Sequence, residues 1–178
     1  TTIINYELLE MPKFLSNILE YPPADGIPAV IPLAAKPQSQ SNAFDMISGQ
    51  VSGALATVDP EYVEYLGSGA LTVAYPLTAG FTDGLDTTFG IDVGGTNGSF
   101  FSLGPTISQI RTGEAGLLYM GGEWLGYRNA TDMGGNVWRL TNVYRGLLGT
   151  RPRTHAIGTR IYEVSTDALT AGQIDDII

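Results

Sequence analysis

The segment 122–150 reads GEWLGYRNATDMGGNVWRLTNVYRGLLGT and carries the strongest fold signal in the chain. Two runs rich in aromatic and branched residues, at 123–130 and 137–145, flank a polar stretch with two glycines at 131–136. Aromatic and branched side chains favour strands, whereas Asp, Asn and Gly favour turns. The segment therefore predicts an antiparallel β-hairpin.

The alternation of side chains along this hairpin predicts which residues face the core. Pairing Ala130 with Val137 gives one face that is mainly apolar, and a slip of one residue would exchange the two faces. The predicted core face holds Leu125, Tyr127, Trp138, Leu140 and Tyr144, with Glu123 at its end. The opposite face holds Trp124, Arg128, Arg139 and Val143.

The composition of the 178 residues extends this prediction to the whole chain. Hydrophobic residues make up 43% and charged residues 15%, so the chain has the means to build a core. Its 23 glycines and 10 prolines favour many short strands joined by turns over long helices. We expect an all-β fold, mainly antiparallel, with one or two small sheets or barrels and a minor short helix.

Further elements are predicted on either side of the hairpin. Strands are expected at 2–10, at 29–35, where Pro32 requires a sheet edge or bulge, and at 158–164. Residues 43–48 and 51–58 are expected to form a second hairpin around Gly49-Gln50. Helical spacing of apolar residues predicts one or two helical turns at 14–21.

These elements give an expected domain organisation. Residues 1–165 are predicted to form one β-rich domain with a possible internal boundary near 58–60. Residues 166–178 are predicted to lead towards a neighbouring domain, and the start at Thr1 favours a piece of a longer protein.

Charge and residue usage restrict the possible functions. Residues 1–110 contain 11 acidic and 2 basic side chains, and residues 111–178 contain 7 of each. Binding to nucleic-acid phosphates relies on Lys and Arg, so direct nucleic-acid binding is not expected. The chain has no cysteine, which excludes disulfides and thiolate metal sites. No apolar run has the roughly 20 residues of a membrane helix, so no membrane segment is expected.

The familiar ligand-binding patterns are incomplete. The glycine-rich stretch 94–98 lacks the lysine of a phosphate-binding loop. Asp83, Asp86 and Asp92 could share a calcium ion, but solvated acids in turns fit their spacing better. His155 is the single histidine and is expected to bind backbone in a turn. No catalytic, cofactor-binding or metal-binding residues are therefore predicted, and no cofactor is expected.

Glu123 and Arg145 should lie at the same end of the predicted hairpin. One interpretation is an exposed ion pair that contributes about 0–1 kcal/mol to stability. The other is a partly buried clamp that fixes the turn at Arg145-Gly146. The sequence leaves both open.

The segment from Gly122 to Gly158 resembles the closing region of the phage tail tip and hub family, which includes siphophage tail proteins and the hub proteins of gene transfer agents. The family pattern has a "gE" strand ending in "nA", a "yRL" strand, an "RGxxGT" element and a following "HxxG". The matching positions are Glu123, Trp124, Ala130, Arg139, Leu140, Arg145, Gly146, Gly149, Thr150, His155 and Gly158. The match is dense over about 40 residues and looser upstream.

The resemblance implies a structural rather than an enzymatic role. The expected function is a virion component of the bacteriophage tail tip, hub or baseplate, made in the bacterial cytoplasm, that closes the tail tube and links it to host-adsorption parts. Its expected partners are other tail proteins, with a homo-oligomeric ring in the intact particle. One alternative is a carbohydrate- or receptor-binding module, which exposed Trp124 or Tyr119 would support. Another is a cell-wall hydrolase, which needs carboxylates or a metal set converging in one cleft.

Overall fold

The computed structural model describes residues 6–10, 30–34, 43–45, 62–64, 67–77, 84–94, 101 and 103–164. The chain divides into two compact units, Thr1–Tyr65 with Thr166–Ile178, and Leu66–Ser165. Among the described residues, no helix has the length and hydropathy required to span a bilayer. The boundary expected near 58–60 and the role expected for 166–178 remain predictions.

The first unit contains two small antiparallel sheets in its described part. Strand β1 (Tyr6–Glu10) pairs with β2 (Val30–Ala34), and β3 (Ala43–Asp45) pairs with β4 (Tyr62–Glu64). Pro32 lies opposite Leu8 in a sheet of two strands, which gives it the edge position expected from its missing N–H. The helical turns predicted at 14–21 and the hairpin strand predicted at 51–58 lie outside the described residues, and the described part of the strand predicted at 43–48 pairs with β4.

The second unit is built on a nine-stranded sheet in which every described pairing is antiparallel, which confirms the all-β class. Its strands are β5 (Ser68–Leu71), β6 (Leu85–Asp86), β7 (Ile91–Gly94), β8 (Leu117–Met120), β9 (Glu123–Gly126), β10 (Asn129–Gly134), β11 (Val137–Thr141), β12 (Val143–Leu147) and β13 (Arg160–Glu163). Their order across the sheet is β10-β11-β7-β5-β13-β8-β9-β12-β6. Strand β13 confirms the strand expected near the end of the unit.

The connections show that this sheet is strongly curled. Strands β6 and β7 lie ninth and third in the order, yet only residues 87–90 join them. Six strand spacings of about 4.8 Å make about 29 Å across a flat sheet. Five steps of extended chain reach about 17 Å. The sheet therefore has to curl so that its two ends approach each other.

The predicted hairpin is present in this curled sheet, but its strands pair in a different register. Ala130 pairs with Leu140 rather than Val137, and Gly134 pairs with Val137. The turn is therefore shorter than expected, and its Gly134, Gly135 and Asn136 all have positive φ. The predicted register was wrong because the pairing continues through Thr131 and Asp132.

The hairpin also bends in its middle, so that its two halves join opposite ends of the sheet. The strands β9 and β10 are separated only by Tyr127 and Arg128, and β11 and β12 only by Asn142, which has φ 54°. Beyond the bend the side-chain faces differ from the prediction. Val143 is fully buried, whereas Tyr144 is only half-buried.

The core lies inside the curl. The rings of Phe101 and Tyr127 pack there in a T-shaped arrangement, at 87° to each other and with 6.2 Å between their centroids. Trp138 is partly buried and packs on the rim of this core. The core cluster consists of Leu71, Tyr75, Ile91, Val93, Phe101, Leu118, Met120, Leu125, Tyr127, Leu140, Val143 and Ile161.

A short helix that the sequence reasoning missed precedes β8. Helix α1 (Ile107–Thr112) begins with a capping box. The backbone N–H of Gln109 donates to Thr106 Oγ1, and the backbone N–H of Thr106 donates to Gln109 Oε1. It ends at Gly113, whose φ is 73°. The T-x-x-Q pattern was visible in the sequence, but six residues are too few for a helical period to stand out.

Candidate functional site

The buried carboxylate of Glu123 is the centre of a polar cluster in the second unit. Glu123 begins β9 after the turn at Gly121-Gly122, where both glycines have positive φ. Its side chain is 0% exposed and accepts two bonds from Arg145, one from Nε to Oε1 and one from Nη2 to Oε2, both 2.8 Å long. This paired geometry is the strongest common form of an Arg–carboxylate contact.

Three further donors complete the coordination of the Glu123 carboxylate. The backbone N–H of Gly146 donates to Oε1 over 3.1 Å, and that of Arg153 donates to Oε2 over 3.1 Å. The ring Nε2 of His155 lies 2.8 Å from Oε2, and because an ionised carboxylate can only accept, Nε2 is the atom that carries the proton in this contact. Every strong acceptor direction of this buried group is thus occupied by a protein donor.

These contacts determine the charge state of Glu123. Burial alone raises the pKa of the carboxyl, but the hydrogen bonds from Arg145 and His155 outweigh that effect and lower the pKa from 4.5 to about 2. Glu123 is therefore ionised at neutral pH. For Arg145, burial acts to lower the pKa, but the bonds to Glu123 raise it overall.

Arg145 connects the carboxylate to two other segments. Its Nη1 donates to the carbonyl of Pro76 over 3.1 Å, and its Nη2 donates to the carbonyl of Arg153 over 2.6 Å. Its guanidinium carbon lies 4.4 Å from the ring centre of Tyr75, a cation–π contact. One arginine therefore ties β12 to the segments that contain residues 75–76 and 153–155.

The cluster continues through Tyr75 to Asp86. The hydroxyl of Tyr75 donates to Asp86 Oδ2 over 3.0 Å, and burial raises the pKa of this phenol. Asp86 Oδ1 accepts the backbone N–H groups of Thr88 and Phe89 at 2.9 and 3.2 Å. Asp86 is 2% exposed, so its interpretation as a solvated turn acid was wrong.

His155 also differs from its predicted environment. Its backbone pairs with Tyr75 in an isolated bridge, as expected for a residue in extended structure. Its ring, however, binds the Glu123 carboxylate rather than backbone, and the residue is only 3% exposed. The clamp interpretation of Glu123 and Arg145 is confirmed in its geometry, with deeper burial than the sequence suggested.

The cluster fixes the conformation of the loop after β12. Gly146 has φ 62°, and a Cβ there would lie 2.8 Å from Pro152 Cδ and 2.9 Å from the Thr150 carbonyl. Thr150 donates from both N and Oγ1 to the Leu147 carbonyl, at 3.0 and 2.7 Å. Its Oγ1 in turn accepts the backbone N–H of Trp124 over 3.0 Å. The loop from Gly146 to Thr150 is therefore bound to β9 at two points.

Other predicted positions lie outside this cluster. Trp124 is 4% exposed and meets the ring of Tyr119 with 5.3 Å between centroids. Ala130 and Leu140 pair across β10 and β11, with Leu140 fully buried. Gly149 and Gly158 have φ of 77° and 84°, with open space where a Cβ would be. Of the eleven motif positions that match the tail hub pattern, four bond directly within the cluster: Glu123, Arg145, Gly146 and His155. Trp124 and Thr150 lie beside it.

Arg139 forms a separate ion pair on the surface. Its Nε and Nη2 donate to Asp92 Oδ1 and Oδ2 at 2.6 and 2.7 Å. The side chain of Arg139 is 48% exposed and that of Asp92 is 15% exposed. This pair joins β11 to its neighbour β7, where Arg139 lies opposite Asp92.

A third buried carboxylate, besides Glu123 and Asp86, was not anticipated. Glu163 in β13 accepts the hydroxyl of Tyr127 at Oε2 over 2.7 Å and the backbone N–H of Gly116 at Oε1 over 3.3 Å. Glu163 and Tyr127 are 36 residues apart, so no local pattern could have revealed the contact.

In the part of the chain that the structure describes, no group of three or more His, Cys, Asp or Glu side chains is placed to hold a metal ion. Asp86 and Asp92 have the protein donors given above. Asp83, the third acid considered for calcium, lies outside the described residues.

The fold and the cluster define an antiparallel β domain whose charged interior side chains brace its own backbone. Residues 72–162 match the family model described as Rcc01698-like, C-terminal, and the chain belongs to this family. A comparison with curated proteins gave no match.

Proposed function

We propose that this chain is a structural component of the distal tail of a bacteriophage or phage-like particle. In this role it belongs to the tip, hub or baseplate assembly, which closes the tail tube and connects it to host-adsorption parts. The protein is made in the bacterial cytoplasm and ends in the particle. The proposal starts from the resemblance of residues 122–158 to tail hub proteins.

One observation carries the proposal: the ionisable side chains at the centre of the motif are buried and bind other parts of the same domain. Glu123, Arg145 and His155 are 0%, 3% and 3% exposed, and each binds another member of the motif or backbone. Together they join four separate stretches of chain around one carboxylate. Breaking such a buried pair costs about 3–5 kcal/mol, so it opposes local opening. This internal use of the motif side chains supports a structural role for the chain.

Two observations weigh against the competing functions. Of the two candidates for stacking on a sugar, Trp124 is 4% exposed and Tyr119 is half-buried, and the two rings pack against each other. The buried carboxylates of Asp86, Glu123 and Glu163 all accept bonds from protein donors and lie in the interior rather than in an open cleft. The arrangement fits a brace better than a general acid and base pair.

Antibody labelling in the electron microscope tests the proposal. Antibodies raised against the chain are applied to particles released from the bacterium that encodes it, with particles from a deletion strain as the control. We expect label at the distal end of the tail. Label on heads, or chain found only in the cell and never on particles, would contradict the proposal.

A further inference from the structure

Two short segments of the second unit, 72–77 and 154–158, form a ribbon at its surface that contains no Asp, Glu, Lys or Arg. Tyr75 and His155 pair across the ribbon through two backbone bonds of 2.9 Å. Their side chains are buried in the polar cluster, where they contact the arginine and the carboxylate at its centre. The ribbon is therefore fixed to the interior on one side, and we call the two segments the apolar ribbon.

The outer side of the apolar ribbon is aliphatic. Val73, Leu77 and Ile157 are 57%, 52% and 67% exposed. Leu77 donates its backbone N–H to Thr154 Oγ1 over 3.2 Å, and Ile157 lies in a tight turn that a backbone bond of 3.1 Å closes. The backbone is thus held in place while these side chains reach solvent. Exposed aliphatic side chains that are grouped, rather than scattered singly, mark an interaction surface.

Two exposed arginines lie beside the apolar ribbon. Arg153 directly precedes the segment 154–158, and Arg145 donates to the carbonyls of both Arg153 and Pro76, at 2.6 and 3.1 Å. This shared donor places Arg153 next to both segments of the ribbon. Arg151 comes two residues earlier in the chain. The aliphatic surface therefore has positive charge at its rim.

No carboxylate neutralises these two rim arginines within the described part of the chain. The carboxylates that contact a basic side chain there are Asp92, with Arg139, and Glu123, with Arg145 and His155. The acidic excess of the chain belongs to the first unit, which has 11 acidic and 2 basic residues, against seven of each in the second. At physiological ionic strength the effect of a charge decays over about 8 Å, so the charges next to the ribbon determine its attraction to a partner.

An anionic phospholipid bilayer matches both properties of this surface. Its phosphates attract arginine, and the acyl chains beneath them accept aliphatic side chains. At protein interfaces Trp, Tyr and Arg dominate the binding energy, whereas Leu and Val are under-represented. The exposed large side chains of the ribbon are all aliphatic, and its tyrosine is buried. Aliphatic side chains beside unneutralised arginines therefore favour lipid over protein as the partner.

We propose that the apolar ribbon binds the surface of an anionic phospholipid bilayer. Val73, Leu77 and Ile157 enter the boundary between headgroups and acyl chains, and Arg151 and Arg153 bind the lipid phosphates. The contact is peripheral and needs no segment that crosses the bilayer. It does not depend on the tail assignment, because it is measured on the chain alone, without particles.

Vesicle flotation tests the binding and its dependence on charge. The full chain is mixed with vesicles of phosphatidylcholine alone, or of phosphatidylcholine and phosphatidylglycerol in equal parts. We expect about tenfold or more higher affinity for the mixed vesicles, because each arginine near an anionic surface adds attraction. A chain that binds neither kind of vesicle overturns the proposal and leaves the ribbon as a contact for protein.

A matched pair of double variants assigns this charge dependence to the rim. Arg151→Gln with Arg153→Gln should remove most of the preference for mixed vesicles. The control is Arg111→Gln with Arg128→Gln, two exposed arginines near Gly126, at the far end of β9 from the polar cluster. The control should keep the preference. An equal loss in both double variants overturns the proposal.

A fluorescent probe tests whether the ribbon enters the bilayer. The chain has no cysteine, so Ile157→Cys and the control Leu103→Cys each take one thiol-linked nitrobenzoxadiazole, whose emission shifts to the blue among acyl chains. Leu103 is 74% exposed and lies close to Pro105, which packs at Gly116, the opposite end of β8 from the ribbon. With mixed vesicles we expect a blue shift at position 157 and none at 103, with unchanged melting curves by circular dichroism. Equal shifts at the two positions, or none at 157, overturn the proposal.

Discussion

The second unit contains two arginine–carboxylate pairs with almost the same bond geometry and opposite environments. Arg145 binds Glu123 through two bonds of 2.8 Å, and Arg139 binds Asp92 through bonds of 2.6 and 2.7 Å. The exposed side-chain fractions are 0% and 0% in the first pair, against 48% and 15% in the second. Bond lengths therefore do not distinguish a structural brace from a surface contact.

The two pairs differ in whether water can solvate the charges once the pair is broken. When the surface pair breaks, water solvates both charges, so the pair contributes about 0–1 kcal/mol. When the buried pair loses one member, the other charge remains desolvated with unmatched donors or acceptors, which costs about 3–5 kcal/mol. The comparison also explains why the buried carboxylate has backbone and histidine donors in addition to its arginine.

Removing the arginine from each pair should give the largest difference. Arg145→Met leaves the Glu123 charge buried, and we expect it to lower the free energy of unfolding by about 3–5 kcal/mol. The matched control Arg139→Met should lower it by about 1 kcal/mol or less. Urea titration followed by circular dichroism measures both. Equal effects would show that burial does not separate the two pairs.

Acid should weaken the buried pair through Glu123. The pKa of Glu123 in the fold is about 2, below its ordinary 4.5, so its contribution to stability is complete above about pH 5 and is lost as the pH falls towards 2. The size of this contribution is on the order of 3 kcal/mol. The free energy of unfolding, measured between pH 2 and 7, should depend on pH more steeply in the unmodified chain than in Glu123→Gln. Parallel curves would reject this role of Glu123.

Alanine substitutions at two glycines of one loop distinguish the effect of close packing around the backbone from the strain of a positive φ. Gly146→Ala places a Cβ against Pro152 and the Thr150 carbonyl, whereas Gly149→Ala places it in open space, although both positions have positive φ. We expect losses of about 2–3 kcal/mol for Gly146→Ala and about 1 kcal/mol for Gly149→Ala. Thermal unfolding compares them. A Gly149→Ala loss as large as that of Gly146→Ala would mean that close packing adds nothing to the strain.

Salt should affect only the surface pair, and only slightly. Raising the ionic strength from 0.01 to 1 M shortens the screening length from about 30 to about 3 Å. The coupling between Arg139 and Asp92 in a double-mutant cycle with Arg139→Gln and Asp92→Asn should fall by about 0.5 kcal/mol or less. The corresponding cycle with Glu123→Gln and Arg145→Gln should keep its coupling. A salt-sensitive buried cycle would indicate that water reaches the Glu123 cluster.

Local signals identified the elements but not how they assemble. Aromatic and branched runs predicted the hairpin and the last strand, because strand preference is a property of neighbouring residues. The hairpin register was missed because glycines in 131–136 permit more than one turn. The bend at Tyr127-Arg128 was missed because it depends on the two ends of the sheet approaching each other.

The sequence by itself determined an all-β chain without thiol chemistry, an acidic first part, a hairpin in the second part, and the positions of one glutamate and one arginine at the same end of that hairpin. Only the tertiary structure decided that this pair is buried, that His155 and two backbone N–H groups join it, and that Asp86 and Glu163 are interior residues. The reason is physical: composition and spacing act over a few residues, whereas burial and the saturation of a carboxylate depend on segments that are distant in sequence and that the curled sheet brings together.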